Sequence, residues 1–119
     1  MARSVLLQLA RDSIAEVIEA KRLINKNALL SEYPLLGEKM ATAVNLYVAK
    51  ELRGSALSAQ SDKTLFEDIV YNAKKAAFDS THPPMTTAEY IDCEVEVVLY
   101  TEGGEMREKD PALSHPHRM

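Results

Sequence analysis

Hydrophobic side chains recur every three to four positions from Ser4 to Leu23, and neither glycine nor proline interrupts this stretch. Such spacing places them along one face of an amphipathic helix. A second helix is predicted from Thr64 to Phe78, because Thr64 and Glu67 have the spacing of a capping box and alanines contribute to its apolar stripe. Each helix is therefore expected to bury one face.

Three further segments have the patterns of strands. Residues 40–48 and 52–58 are expected to pair antiparallel. The loop between them should be longer than two residues, because the joint lacks the Gly or Asn that short hairpin turns favour. Residues 92–101 alternate strictly, which indicates a sheet with one buried face and one face in water. The predicted fold class is α+β, an antiparallel sheet packed with two main helices.

The chain of 119 residues has the length of one domain. Residues 1–101 are predicted to form a single α+β domain, in which residues 25–39 make a packed connector. Residues 102–119 combine two glycines, two prolines and several charges with little apolar content, a composition typical of mobile chain ends. They are predicted to form a flexible or partner-bound tail.

Charge and cysteine content narrow the function classes. The formal net charge of −4 repels phosphate backbones, so no nucleic-acid partner is expected. No apolar run approaches the ~20 residues that span a bilayer, so no membrane segment is expected either. Cys93 is the single cysteine, which precludes an intrachain disulfide and fits a reducing compartment. We therefore expect a cytoplasmic protein. The sequence analysis predicts neither a metal site nor a cofactor.

Several short motifs follow one another in an order that resembles the AMMECR family. They are Leu52-Arg53-Gly54-Ser55-Ala56-Leu57, Asn72-Ala73, Ala76-Ala77-Phe78, Asp79, Pro84-Met85-Thr86 and the strand from Cys93 to Leu99. Members typically show Leu-Arg-Gly-Cys-Ile-Gly at the first of these motifs, and that strand has been regarded as their functional site. The resemblance implies a short, diverged member with a mixed α+β fold. It also implies a Memo-like or radical-SAM protein as a partner.

Departures from the family pattern limit what the resemblance implies. Ser55 stands at the position of the motif cysteine, so a thiolate nucleophile or thiolate ligand cannot act there. Family members also continue beyond the point where this chain ends, so the sheet is expected to lack strands after Thr101. An incomplete sheet exposes an edge that can pair with another chain. A homodimer or a protein partner at this edge is therefore predicted.

The candidate ligand-binding residues are Arg53, Gly54, Ser55, Asn72, Asp79 and His82. Strand alternation places Arg53 and Ser55 on one face and Gly54 on the other. Arg53 is expected either to bind a carboxylate or phosphate of a ligand, or to pair with Glu94 or Glu96 across the sheet. The first alternative would make this strand a binding site, and the second would make it structural.

Asn72 lies in a helix that other residue types form better. It is expected either to be structural or to reach the loop at residues 79–82. Two functions stay open. The first is a binding or accessory module without self-contained catalysis. The second is an enzyme acting on an anionic substrate through Arg53, with His82 or Asp79 moving a proton.

Overall fold

The computed structural model describes residues 3–60, 62–79 and 83–113. Its helices are α1 (Val5–Glu19), α2 (Lys26–Glu32), α3 (Leu65–Phe78) and α4 (Thr87–Asp92). Its strands are β1 (Ala41–Val48), β2 (Glu51–Leu57), β3 (Cys93–Thr101) and β4 (Gly104–Asp110). A 3₁₀ turn at Pro34–Gly37 leads from α2 towards β1. The segment predicted as a plain connector therefore contains a short helix and this turn.

The four strands form one antiparallel sheet in the order β2-β1-β3-β4. Helices α1 and α3 contact each other and pack against the sheet. Their shared core contains small and aliphatic side chains, among them Leu9, Ile14, Val44, Leu46, Ala56, Ile69, Ala73, Val95 and Val97. The predicted α+β fold with two main helices is confirmed.

Helix α1 begins where the sequence predicts and ends earlier. The Ser4 hydroxyl caps it by accepting the Leu7 N–H, and Ala20 ends it in the left-handed region with φ 56°. The carboxylate of Glu16 then accepts the backbone N–H groups of Leu23 and Ile24, at 2.8 and 2.9 Å. These bonds turn the chain away from the helix axis after Ala20. The hydrophobic periodicity, which runs to Leu23, therefore extends past the last residue of α1.

The turn between β1 and β2 differs from the prediction. Ala49 and Lys50 have φ values of 53° and 67°, and the strands pair up to Val48 and Glu51. Two consecutive left-handed residues match the twist of the flanking strands. The prediction of a longer loop is wrong because strand pairing imposes this conformation on two residues that do not favour it by themselves.

Strand β4 lies within the segment that the sequence analysis assigned to a tail and follows Thr101, where no further strand was expected. It pairs with β3 from Thr101↔Gly104 to Val95↔Asp110. Five of its seven residues are charged, which hides the strand from a hydrophobicity pattern. A charged strand is stable here because it forms the edge of the sheet, where side chains stay in water. Residues 114–119 lie outside the described part of the chain.

Candidate functional site

Arg53 occupies an irregularity in β2. Leu46 pairs with Gly54 and Tyr47 pairs with Leu52, so Arg53 is the additional residue of a β-bulge. The bulge turns the side chain of Arg53 inward next to buried Gly54, while Ser55 is exposed. The prediction that Arg53 and Ser55 share one face is therefore wrong, because simple alternation does not hold across a bulge.

Gly54 allows α3 to approach the sheet closely. A Cβ atom at this position would lie 2.0 Å from the carbonyl oxygen of Ala76. Such a contact is far inside van der Waals distance, so any side chain would push the helix away. The role of Gly54 that the geometry supports is helix packing rather than ligand contact.

Arg53 is held by Glu89 and by the loop before α4. Its Nε and Nη2 donate to the two carboxylate oxygens of Glu89 at 2.9 and 3.1 Å, and Nη2 also donates to the Pro83 carbonyl at 2.6 Å. The side chain is 7% exposed. Its Nη1 is buried and has no hydrogen-bond partner among the described residues. The carboxylate partner is thus Glu89, not Glu94 or Glu96.

Glu89 has a second structural role at the start of α4. Its carboxylate accepts the Thr86 N–H at 3.1 Å, and the Thr86 hydroxyl accepts the Glu89 N–H at 3.2 Å. This pair forms a reciprocal capping box. Arg53 therefore connects the bulge in β2 to the first turn of α4 through one shared carboxylate.

Ser55 belongs to a polar row on the open face of the sheet, the face opposite α1 and α3. Its hydroxyl donates to Asn45 Oδ1 at 2.7 Å, and Asn45 Nδ2 donates to Glu96 at 2.8 Å. Tyr47 and Arg107 also donate to Glu96. Burial alone would raise the pKa of Glu96, but the hydrogen bond from Asn45 and the charge of Arg107 hold it below its usual value. The row binds β2, β1, β3 and β4 together.

Asn72 contacts a different region from the one predicted for a functional role. Its Nδ2 donates to the Thr42 hydroxyl, to the Ser58 hydroxyl and to Asp68. Asp68 is fully buried and accepts the Thr42 N–H and hydroxyl at 2.8 and 2.7 Å and the Ser58 hydroxyl at 2.7 Å. Asn72 thus fastens α3 to β1 and to the end of β2, as the structural alternative expected.

Asp79 lies at the C-terminal end of α3. Asp79 is exposed, and its N–H closes the last turn by donating to the Lys75 carbonyl. His82 lies outside the described residues. Of the candidate residues, Arg53 contacts the Pro83 loop and Gly54 packs on Ala76 of α3, whereas Ser55 and Asn72 belong to separate networks.

Arg11 is a buried side chain of α1 that is not among the candidate residues of the sequence analysis. It is 1% exposed, pairs with Asp110 and donates to the carbonyl oxygens of Cys93 and Pro111 at 2.8 and 2.9 Å. It also lies over the ring of Tyr90. The three-four spacing from Leu7 through Arg11 could have revealed this burial, since that spacing marks the core face of a helix.

Cys93 is fully buried on the core side of β3. Burial raises the pKa of its thiol to about 11, so the group is a poor nucleophile near neutral pH. Within the ranges that the structure describes, no group of three or more His, Cys, Asp or Glu side chains could hold a metal ion. In the same ranges, no helix has the length and apolar character needed to cross a bilayer.

Comparison with known proteins identifies the family to which this chain belongs. A family model described as AMMECR1 matches residues 7–116, and the chain belongs to the AMMECR1 family. The crystal structure of the uncharacterized protein PH0010 from Pyrococcus horikoshii is similar, with a TM-score of 0.69 and 29% sequence identity. The match covers 81% of this chain and 49% of that protein, so this chain spans about half the length of that relative. The comparison with curated proteins finds no match.

Proposed function

We propose that this chain is a binding module without self-contained catalysis, which recognises a protein partner through β2 and the adjoining open face. The difference between the two sheet edges carries this proposal. β2 presents Leu52 and Leu57 at the surface, 53% and 65% exposed, whereas β4 is mostly charged. Charged edge strands resist pairing with other chains, and exposed apolar edges invite it.

The polar row on the open face adds specificity to this surface. Ser55, Asn45 and Glu96 run across three strands, with Leu57 and Leu52 at the ends of the edge strand beside them. A hydrogen-bonded strip flanked by apolar side chains has the mixed composition that protein interfaces use. The surface is therefore suited to a folded partner rather than to a buried small molecule.

The geometry favours binding over an enzyme acting on an anionic substrate. Glu89 already occupies the Nε and Nη2 positions with which Arg53 would hold a substrate carboxylate. The Ser55 hydroxyl donates to an amide oxygen, whereas a serine nucleophile needs an adjacent general base. A thermal-shift screen of anionic ligands would oppose this conclusion if it gave a ligand whose effect is lost in Arg53→Lys.

The proposed partner is a second copy of this chain or a dedicated protein. Dimers with twofold symmetry are the commonest assemblies of soluble proteins, so the homodimer is the first form to test. A Memo-like or radical-SAM protein is the dedicated alternative, supported by family membership. A cytoplasmic location is part of the same proposal, supported by the free thiol of Cys93.

The test uses matched variants on the two edges. Leu57→Lys places a charge on the β2 edge, and Met106→Lys does the same at a 59% exposed position on the β4 edge. Size-exclusion chromatography with light scattering should give a dimer for the wild type and Met106→Lys and a monomer for Leu57→Lys. A wild type that stays monomeric at high concentration, and that binds neither class of dedicated partner, would contradict the proposal.

A further inference from the structure

The outer edge of β2 has free backbone groups at two defined positions. The Ser58 N–H donates to the Thr42 carbonyl at 3.0 Å, towards β1. Because the hydrogen-bonding groups of an antiparallel strand point to alternate sides, those of Ser55 and Leu57 point away from β1. Both residues are exposed, and no strand in the described part of the chain pairs with this side of β2. They therefore offer two donors and two acceptors to a further strand.

The bulge limits the length of this edge. The regular register of β2 breaks at Arg53, and a bulge bends its strand and disrupts pairing. A partner strand can therefore pair regularly only with residues 54–58, whose centre is Ala56. A twofold axis beside Ala56 would place Ser55 of each copy opposite Leu57 of the other, so that all the free groups at these positions find partners.

Helix α3 lies beneath this edge and runs antiparallel to β2. Asn72 bonds to Ser58 at the end of the strand. Ala76, one turn further along the helix, lies against Gly54. Asp79 at the C-terminal end of α3 therefore lies towards the turn between β1 and β2.

The two ends of the edge carry opposite net charge. One positive and two negative side chains lie at the turn end, namely Lys50, Glu51 and Asp79. One negative and two positive side chains line the hollow beyond the other end, namely Asp62, Lys63 and Lys75. An antiparallel second copy brings each end of the edge towards the opposite end of the other copy, so the net charges are complementary. This complementarity favours a second copy of the chain as the occupant of the edge.

Leu57 adds an apolar contact at the centre of the same arrangement. Its side chain is 65% exposed, and its strand neighbour Ala43 is buried beside it on the open face. Diagonal neighbours in an antiparallel pair lie ~7–8 Å apart, within reach of long side chains. The two Leu57 side chains would be such neighbours, and contact between them would remove both from water.

We propose that two copies of this chain pair through the outer edges of β2, antiparallel about a twofold axis beside Ala56. The two four-stranded sheets then form one continuous sheet. This inference rests on the proposed function and specifies its homodimeric form. It differs from a dimer through the open faces, which would leave the backbone groups of Ser55 and Leu57 without partner strands.

The first test mixes two variants that each have one added cysteine, Ser55→Cys and Leu57→Cys. Opposed residues of a hydrogen-bonded antiparallel pair lie ~5.5 Å apart between their Cα atoms, a distance that a disulfide bridges. Identical positions are diagonal neighbours at ~7–8 Å, which is too far. Under mild oxidation the mixture should give at least ~10-fold more disulfide-linked dimer than either variant alone.

Two controls accompany this experiment. The wild type retains only the buried Cys93 and should not cross-link. A mixture of Glu105→Cys and Arg107→Cys has the same spacing at exposed positions of β4, the other edge strand, and should not cross-link either. Equal cross-linking in the β2 mixture, in its single variants or in the β4 mixture would overturn the proposed pairing.

The second test reverses the charges at the two ends. Glu51→Lys and Lys63→Glu should each raise the dimer dissociation constant several-fold at low ionic strength, because each brings ends of like net charge together. The double variant Glu51→Lys/Lys63→Glu exchanges the two signs and should return to within ~2-fold of the wild type. Additive weakening in the double variant would overturn the antiparallel arrangement.

The outcomes separate this inference from the proposed function. A dimer in chromatography without selective cross-linking would overturn the β2 pairing and retain a homodimer through another contact. A wild type that stays monomeric at high concentration would overturn this inference, whereas the proposed function would then depend on a dedicated partner.

Discussion

Arg11 and Arg53 are both buried arginines paired with a carboxylate, but they differ in how completely their donors are used. All three guanidinium nitrogens of Arg11 have acceptors, namely Asp110 and the carbonyl oxygens of Tyr90, Cys93 and Pro111. Arg53 uses two nitrogens on Glu89 and Pro83, and its Nη1 has no partner within the ranges that the structure describes. A fully satisfied arginine indicates a structural role, because a buried donor without an acceptor is costly.

Their carboxylate partners differ as well. The side chain of Asp110 is 9% exposed, whereas that of Glu89 is 37% exposed. If its arginine is removed, Glu89 can regain water, but Asp110 stays largely buried. We therefore expect that replacing Arg11 lowers the free energy of unfolding more than replacing Arg53 does.

The largest expected effect is that of Arg11→Met. The variant keeps most of the apolar stem but leaves Asp110 only the partly exposed Arg3, whose Nε lies 3.0 Å from it. Removing one partner of a buried pair costs ~3–5 kcal/mol, and the remaining contact with Arg3 places the expected loss at the lower end of this range. Urea denaturation should report this loss in the free energy of unfolding. Arg11→Met/Asp110→Asn should recover part of it. A single-variant loss below ~1 kcal/mol would show that this pair behaves like a surface ion pair.

Gly54→Ala should have the next largest effect, because the new methyl group overlaps the Ala76 carbonyl oxygen. Overpacking of this kind typically costs ~1–3 kcal/mol and occasionally more. Urea denaturation of this variant tests whether the close contact between β2 and α3 requires glycine at this position. Ser55→Ala on the exposed side of the same strand is the matched control, and its loss should be smaller. Equal losses would contradict the packing role.

Arg53→Met is expected to cost ~1–3 kcal/mol, the range for lost hydrogen bonds to a charged group and the donors or acceptors left behind. Its loss should be smaller than that of Arg11→Met in the same denaturation experiment. Glu89→Gln should cost at least as much, because Gln can keep the capping box at Thr86 but leaves Arg53, which is 7% exposed, without its carboxylate. A larger loss for Arg53→Met than for Arg11→Met would reverse the comparison between the two arginines.

The smallest effect concerns Cys93, whose carbonyl oxygen accepts a bond from Arg11. Burial raises the pKa of its thiol from 9.0 to about 11 in the folded chain. Between these pH values the folded state keeps a proton that the unfolded state loses, so stability should fall as pH rises through this window. Denaturation between pH 8 and 11 should show a shallower fall for Cys93→Ala. Identical slopes would exclude this contribution.

Sequence reasoning succeeded where local signals agree with packing. Thr86 and Glu89 form a capping box at the spacing typical of this motif, and the alternation matches the burial of β3 from Cys93 to Val97, whereas Val98 is buried out of phase. Thr64 caps α3 as expected by accepting the Glu67 N–H. These features depend on residues only a few positions apart, so the sequence pattern contains the information needed.

Sequence reasoning failed where a distant contact decides the conformation. The left-handed residues Ala49 and Lys50 carry no turn signal, and the bulge at Arg53 reverses the alternation of its strand. The partner of Arg53 is Glu89, 36 positions further along the chain. Such a contact has no local signature, and the candidate site could be only partly predicted for this reason.

The sequence by itself determined the α+β class, the two main helices and the family, because periodicity, capping residues and motif order are properties of neighbouring residues. Only the tertiary structure decided that Arg11 pairs with Asp110 and that Asn72 fastens α3 to the sheet rather than reaching the loop after it. It also decided that a charged segment completes the sheet as β4. Each of these outcomes depends on which surfaces meet when the layers pack, and packing joins residues that the linear pattern keeps apart.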